Sequence, residues 1–404
     1  MDLDPIPPSP APQRDFSLRY IVYAKDLIVS YKGKEPFHLY LKKYFSLHKK
    51  HGSRDRRIIT SLCYNYFRLG GGVQGSPSPD SKIMLATFLC ETQPSEWMAS
   101  VQPRWNEAIA APLEEKLKMV AGEFAIDFLF LFLGELSPEI DRTGFSLSFL
   151  IQPALFLRIR PGHSDEVIRK LKASGLEYYR QGASCLSLSG NPKIDSVLDL
   201  NREAVIQDAN SQKTLDFVTS LFTPEPNRPV PVWDCCAGSG GKSILVHDLL
   251  SPIRLTVSDR RPAILKNLAQ RFWKAGIDPF EVRERDLEKG AAYEEGKFDL
   301  VIADVPCSGS GTWARTPEQH LFFELNQLKG YCDRQRKIIK NVLPCLNSGG
   351  YLCYITCSVF KKENEENVDF FASHFSLSIL KKEYLKGYHD KADTMFVAVL
   401  KKNT

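Results

Sequence analysis

Two cysteines stand directly after two predicted buried strands. Cys307 comes after the apolar stretch 298–303, and Cys357 comes after the apolar stretch 351–355. In an open α/β sheet, side chains just beyond the carboxyl ends of parallel strands face the ligand crevice. The pattern therefore predicts that two thiols and the carboxylate of Asp304 converge at one site.

A cysteine in a reducing compartment is more often a small buried apolar residue, and this alternative must be weighed. It suits the other cysteines in predicted strands and helices, namely Cys63, Cys90, Cys185, Cys332, Cys345 and Cys353. Cys307 instead precedes the Ser/Gly-rich stretch 308–311, and Cys357 precedes the charged stretch 361–365. These surroundings favour loops over the sheet rather than core positions.

Such a thiol pair suits methylation of an unreactive ring carbon. A thiolate that adds to C6 of cytosine makes C5 nucleophilic enough to take a methyl group from a sulfonium, which is covalent catalysis. A carboxyl group can stabilise the charge on the ring, and a second thiol can help to remove the C5 proton. A nearby cation would raise the thiolate fraction, and Lys242, Arg315 and Lys361 are candidates.

The predicted strands around these residues end in acids. Four successive strands of the carboxy-terminal half are followed by Asp234, Asp259, Asp286 and Asp304, and the first leads into a glycine-rich loop. Glycines let a ligand approach the backbone, and the following helix offers unpaired N–H groups. An acid after the second strand is placed to bind ribose hydroxyls. The series predicts S-adenosylmethionine, whose amino group and sulfonium are cationic.

A phosphate-binding loop is the nearest alternative for the glycine-rich segment. Gly241-Lys242-Ser243 matches the end of a Walker A motif, but Cys236 stands where its first glycine belongs. That alternative gives the two cysteines no role. The dinucleotide fingerprint fails because Ser243 occupies the position of its third glycine.

Composition limits the other possibilities. The 404 residues exceed what one core usually organises, and the formal net charge is only +5. The ten cysteines form no zinc-like spacing, so no metal is predicted. The Pro-rich start lacks the apolar core of a signal peptide, and no stretch is predicted to span a membrane. Free thiols and no export signal predict a cytoplasmic protein.

The periodicity divides the chain into four parts. Residues 1–15 are predicted to be a flexible amino terminus, 16–144 an all-helical domain, 145–200 a small α+β module, and 201–404 alternating strands and helices. The predicted fold class is α/β, with a Rossmann-like domain at the carboxy-terminal end.

These motifs resemble those of the Sun/Fmu (Nop-type) RNA cytosine-5 methyltransferases. The run 234–242 is similar to the cofactor loop of that family, 304–309 to its fourth motif and 354–368 to its sixth. Residues 207–212 resemble the segment that leads into the catalytic domain, and 394–402 the closing strand. Upstream, 154–188 resembles the small RNA-recognition-like module, and 53–68 the NusB-like helical domain of some members. The resemblance is strong after Asn201 and weak before it.

The resemblance implies roles for individual residues. Cys357 would be the nucleophile that attacks C6, Cys307 would assist product release, and Asp304 would contact the base and the cofactor. Asp259 would hold the ribose and Asp286 the adenine amine. The S-adenosylmethionine loop would comprise Cys236, Ala237, Gly238, Ser239, Gly240, Gly241 and Lys242.

Two departures from the family pattern bear on function. The family usually has Ala-Pro where this chain has Gly238-Ser239, which predicts a more flexible loop and lower cofactor affinity. The family often has two basic residues after the fourth motif, and only Arg315 is retained here. Trp313 in the same segment could stack on a base or belong to the core.

The predicted partner is RNA, and ribosomal RNA is the favoured kind, as a single-stranded or flexible segment, because the target base must leave its stack. Basic residues that could contact phosphates form one cluster in the helical domain and another in the small module: Lys42, Lys43, Lys49, Lys50, Arg54, Arg56 and Arg57, then Arg158, Arg160, Arg169, Lys170 and Lys172. A solvated helix face is the alternative. A non-catalytic RNA-binding assembly factor and a tRNA substrate remain alternative functions, and a monomer is favoured.

Overall fold

The computed structural model describes residues 12–404 except 76, 128, 191, 224, 226, 279 and 291–295. Most of the predicted flexible segment 1–15 therefore lies outside the described residues. The chain divides into two compact units, of which the first comprises residues up to 131 with 142–152 and 313–323. The second comprises 132–141, 153–312 and 324–404.

The first unit is helical, as its apolar spacing predicted. Its helices are α1 (Pro12–Ser30), α2 (Phe37–Leu47), α3 (Ser53–Leu69), α4 (Pro79–Cys90), α5 (Glu96–Val101), α6 (Pro103–Glu107), α7 (Leu113–Val120), α8 (Arg142–Ser148) and α14 (Gln319–Phe322). Ser78 and Ser95 cap α4 and α5 through their side chains, which accept hydrogen bonds from backbone N–H groups.

A buried arginine and an aromatic cluster hold this unit together. Tyr31, Phe37 and Phe67 pack edge to face in its core. The guanidinium of Arg68, on α3, donates to the carbonyl oxygens of Phe149 (3.1 Å) and Ala314 (2.7 Å). These bonds satisfy backbone oxygens that would otherwise be buried without donors.

The second unit contains a small antiparallel sheet of order β2-β3-β1-β4. Its elements are β1 (Leu155–Ile159), α9 (Ser164–Ala173), β2 (Tyr178–Arg180), β3 (Cys185–Leu188) and β4 (Ala204–Ile206). The predicted strand-helix-strand-strand order is present, and the fourth strand lies past residue 200. The four-part division of the chain itself stays a prediction.

The same unit contains a seven-stranded sheet of order β10-β11-β9-β8-β5-β6-β7. Strands β5 to β9 run parallel, while β11 and β10 pair antiparallel at one edge. The elements are α10 (Ala209–Lys213), α11 (Asp216–Thr219), β5 (Val230–Asp234), α12 (Gly241–Leu250), β6 (Ile253–Asp259), α13 (Pro262–Ala275), β7 (Phe280–Glu284), β8 (Phe298–Asp304), α15 (Gln327–Val342), β9 (Leu346–Thr356), α16 (Glu365–His374), β10 (Leu377–Leu385) and β11 (Met395–Lys402).

This architecture confirms the predicted α/β class with a parallel sheet and an amino-terminal helical region. Central strands such as β5 and β8 are apolar and buried, because helices cover both faces of a parallel sheet. Strand order reverses at β5, whose neighbours are β8 and β6. Ligands bind at such a switch point in open α/β sheets. Among the described residues, no helix is long and apolar enough to cross a bilayer.

Candidate functional site

A cavity of about 600 Å³ lies over the carboxyl ends of the parallel strands in the second unit. The sheet order fixes how side chains follow one another along this edge: Cys357 after β9, Asp304 and Cys307 after β8, the glycine loop after β5, Asp259 at the end of β6, and Asp286 after β7. Of the predicted site residues, those that line the cavity are Cys236, Ala237, Gly238, Ser239, Gly241, Lys242, Asp259, Asp286, Asp304, Cys307 and Cys357. Gly240, the remaining residue of the predicted set, is buried and does not line the cavity.

The glycine loop turns sharply between β5 and α12. A bond of 2.8 Å from the N–H of Gly240 to the carbonyl oxygen of Ala237 closes the turn. Gly240 has φ +84°, and a Cβ there would lie 2.7 Å from the ring of Phe272. Gly238 has φ +53°, and a Cβ there would enter open space. Only glycine adopts both conformations without strain.

Lys242 is buried and reaches from the start of α12 to the end of β8. Its Nζ lies 2.7 Å from Oδ2 of Asp304 and 3.2 Å from Oγ of Ser211. Burial opposes the lysine charge, but the pairing with Asp304 outweighs it, so the net effect raises the pKa of Lys242. The ammonium therefore stays charged on the wall of the cavity.

Ser243 is unavailable to a phosphate. Its hydroxyl is fully buried and donates to Oδ2 of Asp234 at 2.6 Å. A Walker A loop needs this hydroxyl on a bound Mg²⁺ and its lysine on phosphate oxygens. Both side chains are instead committed within the protein, which disfavours the phosphate-loop alternative.

Asp259 and Asp286 lie on the side of the glycine loop away from the cysteines. Asp259 accepts from the N–H of Gly238 (3.1 Å) and pairs with the guanidinium of Arg261 (2.9 Å). Burial alone would raise the pKa of Asp259, but the hydrogen bonds and charge of Arg261 lower it on balance. The carboxylate is thus ionised and ready to accept hydrogen bonds from a diol. Asp286 is about a third exposed and pairs with Lys289.

The side chains of the two predicted site cysteines, Cys307 and Cys357, are in contact. Sγ of Cys307 lies 3.3 Å from Sγ of Cys357, and both residues are half-buried on the cavity wall. The hydrogen bond with Cys357, together with burial, raises the pKa of Cys307 well above its usual value. Five of the six cysteines assigned to the interior are buried, and Cys90 is half-buried.

A buried polar network, absent from the sequence predictions, fixes both cysteine loops. The carboxylate of Glu363 is fully buried and accepts from Ser308 N (2.9 Å), Ser308 Oγ (2.5 Å), Ser358 Oγ (2.6 Å) and Gln335 Nε2 (2.9 Å). Gln335, on α15, also donates to the carbonyl oxygen of Pro306 at 3.0 Å. One carboxylate therefore ties the loop after β8 to the loop after β9.

The sequence held a partial signal for this network. Glu363 lies within the charged stretch 361–365, which favoured a loop over the sheet, and the fold buries its side chain completely. Gln335 is a polar residue on the apolar side of a helix, between Cys332 and Ile338, and such a position predicts a buried hydrogen-bonding role.

The structure also settles three predictions about RNA contacts. Trp313 is only 2% exposed and packs against Phe130 and Phe323, so it belongs to the core of the helical unit.

Arg158 and Arg160 were predicted to be phosphate contacts, and this is wrong. Both pair with Asp248 on α12, and the Arg158 side chain is 4% exposed, so these charges join the small sheet to the large one.

The cavity fits a nucleoside with an amino-acid tail. Buried or half-buried carboxylates at Asp259 and Asp286 suit ribose hydroxyls and an exocyclic amine, and the open face at Gly238 admits close backbone contact. Within the described residues no group of three or more potential metal ligands occurs. The ribose, the adenine amine and the cationic tail of S-adenosylmethionine suit this set of acceptors.

Comparisons with known proteins agree with this geometry. Residues 220–400 match the family model described as 16S rRNA methyltransferase RsmB/F. The probable ribosomal RNA small subunit methyltransferase B of Bacillus subtilis (strain 168) is 26% identical over 231 residues, which cover 55% of this chain and 50% of that protein. The chain thus aligns with about half the length of the curated relatives it matches.

Two solved structures show the same fold. The crystal structure of PH0851 covers 96% of this chain and 98% of its own, with a TM-score of 0.67 at 18% identity. NSun6 from Pyrococcus horikoshii, solved with SFG, covers 65% of this chain and 94% of its own, with a TM-score of 0.54 at 15% identity. The resemblance predicted from the motifs is confirmed: over residues 220–400 the chain is similar to the RsmB/F (Sun/Fmu) family.

Proposed function

We propose that this protein is an S-adenosylmethionine-dependent RNA cytosine-C5 methyltransferase, with ribosomal RNA as the favoured substrate and Cys357 as the nucleophile. The observation that carries the proposal is the pair of thiols, 3.3 Å apart, in one cavity with the Lys242–Asp304 pair and the glycine loop. The names of the RsmB relatives and the SFG complex of NSun6, SFG being an S-adenosylmethionine analogue, point the same way.

The order of residues along the sheet edge supports the binding of S-adenosylmethionine between the thiols and the acids. Cys307 follows β8 and Asp259 ends β6, two strand spacings away, which is about 10 Å at the usual separation of strands. S-adenosylmethionine would supply the methyl group, with its ribose at Asp259 and its adenine at Asp286. The sulfonium end would then lie toward Asp304 and the cysteines.

Each chain residue has a role in the proposed reaction. Cys357 attacks C6 as a thiolate, and Lys242 lines the same cavity. Asp304 hydrogen-bonds the base and helps to stabilise charge on the ring. The raised pKa of Cys307 keeps it a thiol before the reaction, so it is a poor competitor for C6. After methylation Cys307 passes its own proton to water and accepts the C5 proton. The C5–H electrons then form the C5=C6 double bond, and the Cys357–C6 bond breaks with its electron pair on the Cys357 sulfur, which releases the product.

Two cysteine variants test this mechanism on the full chain. Cys357→Ala should abolish methyl transfer, because no covalent adduct can form. Cys307→Ala should instead accumulate a protein–RNA adduct that survives a denaturing gel, because breakdown of the adduct is impaired. Both are measured with S-adenosylmethionine and rRNA fragments, with Cys332→Ala as control. Normal turnover by Cys357→Ala would refute the assignment and favour a different chemistry.

The helical unit supplies a basic surface for RNA in this proposal. Six of the seven predicted basic residues on and between α2 and α3 are exposed, and Arg56 is half-buried. Lys43 forms an ion pair with Glu35 at 2.6 Å. Its neighbour Lys42 lies on the same helix and forms no ion pair among the described residues. Phosphate contacts of such residues would make binding fall with salt.

A matched pair of lysines tests this surface. The double variant Lys42→Ala with Lys49→Ala should reduce the slope of log affinity against log salt on a single-stranded RNA by about 1.4 relative to the wild type, because about 0.7 is lost per phosphate contact. Lys43→Ala, whose charge is already offset, should change the slope little. Binding is measured by fluorescence anisotropy at several salt concentrations. Equal slopes for all variants would assign the basic residues to a solvated face.

A further inference from the structure

Hydrogen bonds hold the cofactor loop at Gly238 and Gly240, and Ser239 lies between these two points. Gly238, Gly240 and Gly241 surround a single side chain, Ser239, which is exposed. Glycine loses more conformational freedom on ordering than any other residue. A ligand that had to order this loop on binding would lose affinity by that amount.

Arg271 contacts the loop at that one side chain. From α13, its Nη1 donates to the carbonyl oxygen of Ser239 at 2.7 Å and lies 2.9 Å from Ser239 Oγ. Its Nε donates to Oδ1 of Asn201 at 2.8 Å. One edge of the planar guanidinium is therefore fixed by Asn201, and the other edge hydrogen-bonds to Ser239 on the wall of the cavity.

We propose that Arg271 is a positioning residue that orders the cofactor loop before S-adenosylmethionine binds. It acts through Ser239 and needs no contact with the reacting atoms. This inference rests on the proposed function, because the benefit of an ordered loop is realised only if the cavity binds that cofactor. Preorganisation of this kind increases affinity by removing an entropic cost rather than by adding a contact to the ligand.

Proline at position 239 provides a test that does not use the guanidinium. Ser239 is the third residue of the turn that the Ala237–Gly240 hydrogen bond closes, and its φ is not positive, which is one condition that proline requires. In the described part of the chain the N–H of Ser239 donates no hydrogen bond that proline would remove. Ser239→Pro restricts the loop through a covalent ring instead of through Arg271.

The experiment compares dissociation constants for S-adenosylmethionine, measured by titration calorimetry on the full chain without RNA. Arg271→Ala should bind about 10-fold more weakly, as expected for two lost hydrogen bonds from a charged donor. Ser239→Pro with Arg271→Ala should bind within about twofold of Ser239→Pro alone, because the ring replaces the constraint. Lys274→Ala, an exposed cation on the same helix outside the cavity wall, is the matched control and should bind like the wild type.

Each outcome is decisive. Wild-type affinity in Arg271→Ala, or a double variant as weak as Arg271→Ala, overturns the proposal. If Arg271→Ala does not fold, Ser239→Ala removes one of the two bonds and should weaken binding about threefold, and unchanged affinity there also overturns it. A wild-type protein that binds no S-adenosylmethionine would instead refute the proposed function itself, so the two failures are distinguishable.

Discussion

The glycine loop after β5 and the two cysteine loops after β8 and β9 border the same cavity but are held in different ways. The cysteine loops share a fully buried carboxylate, Glu363, with four hydrogen bonds from three residues. The glycine loop is held at its base by Ser243 on Asp234 and at its surface by Arg271.

The difference follows from what each loop has to do. A bond that forms and breaks at sulfur needs the two thiols at fixed positions, and a satisfied buried network gives that rigidity. A loop that receives a ligand needs an exposed backbone, which glycine provides, but glycine also makes the loop less ordered.

The two regions also differ in their buried carboxylates. Glu363 is surrounded by donors, whereas burial of Asp234 outweighs its hydrogen bond from Ser243 and raises its pKa to about 7.

The largest effect is expected at Glu363, the buried carboxylate that accepts four hydrogen bonds. Glu363→Ala leaves four hydrogen-bond donors without their acceptor in the interior, and the free energy of unfolding should fall by about 5 kcal/mol. Urea unfolding measures this, with the exposed Glu366→Ala as control. The isosteric Glu363→Gln should fold, keep its affinity for S-adenosylmethionine and lose methyl transfer. Equal losses of both in Glu363→Gln would mean that the two loops are not held independently.

The second effect is a pH dependence at the base of the glycine loop. The pKa of Asp234 is about 7 in the folded chain and 3.8 as the unperturbed value. Because the folded state holds the proton more tightly, stability from this group is fully present below about pH 4 and is lost as pH rises to about 7. Asparagine does not ionise, so the free energy of unfolding of Asp234→Asn should not fall in this way. Between about pH 4 and pH 7 the variant should become progressively more stable than the wild type, by at most about 4 kcal/mol at pH 8.

Unfolding in urea at pH 4.5, 5.5, 6.5 and 8 checks this prediction. The difference between Asp234→Asn and the wild type should grow with pH and then level off. A difference that stays constant over this range would show that Asp234 is ionised throughout, and the contrast between the two carboxylates would disappear.

The smallest effects separate two glycines in the same turn. Gly240→Ala combines a positive φ with a Cβ 2.7 Å from the ring of Phe272, and should lower the free energy of unfolding by about 3 kcal/mol. Gly238→Ala has open space for its Cβ and should cost about 1 kcal/mol, since only the backbone conformation is strained. Thermal unfolding compares them, and equal costs would mean that the contact at Phe272 relaxes freely.

Much of the sheet could be predicted because its signals are local. Apolar runs bounded by acids and glycines predicted β5, β6 and β8, and the structure places Asp234, Asp259 and Asp304 at their ends. Strand β7 ends at Glu284, two residues before the predicted Asp286. Strand β9 begins at Leu346, earlier than predicted, because its first residues are polar and glycine-rich and lack the apolar signal.

Longer-range contacts escaped prediction. The charged stretch 361–365 favoured a loop over the sheet, and the basic residues of the small module suggested RNA contacts. Glu363 and Arg158 are instead paired in the interior, and the half-buried Arg160 pairs with Asp248. A charged side chain is buried only where partners compensate the loss of hydration. Ser358 is five residues from Glu363, but Gln335 is 28 residues from it and Asp248 is 88 to 90 residues from the two arginines.

The amino-acid sequence by itself determined the chemistry that can occur here, because thiols, acids and glycines after successive apolar strands must meet at one edge of a parallel sheet. Only the tertiary structure decided how those groups are held. The 3.3 Å separation of the sulfurs, the raised pKa of Asp234 and the grip of Arg271 on Ser239 depend on burial and on partners distant in the chain. Local sequence encodes strand ends, whereas desolvation and pairing arise only when distant segments pack together.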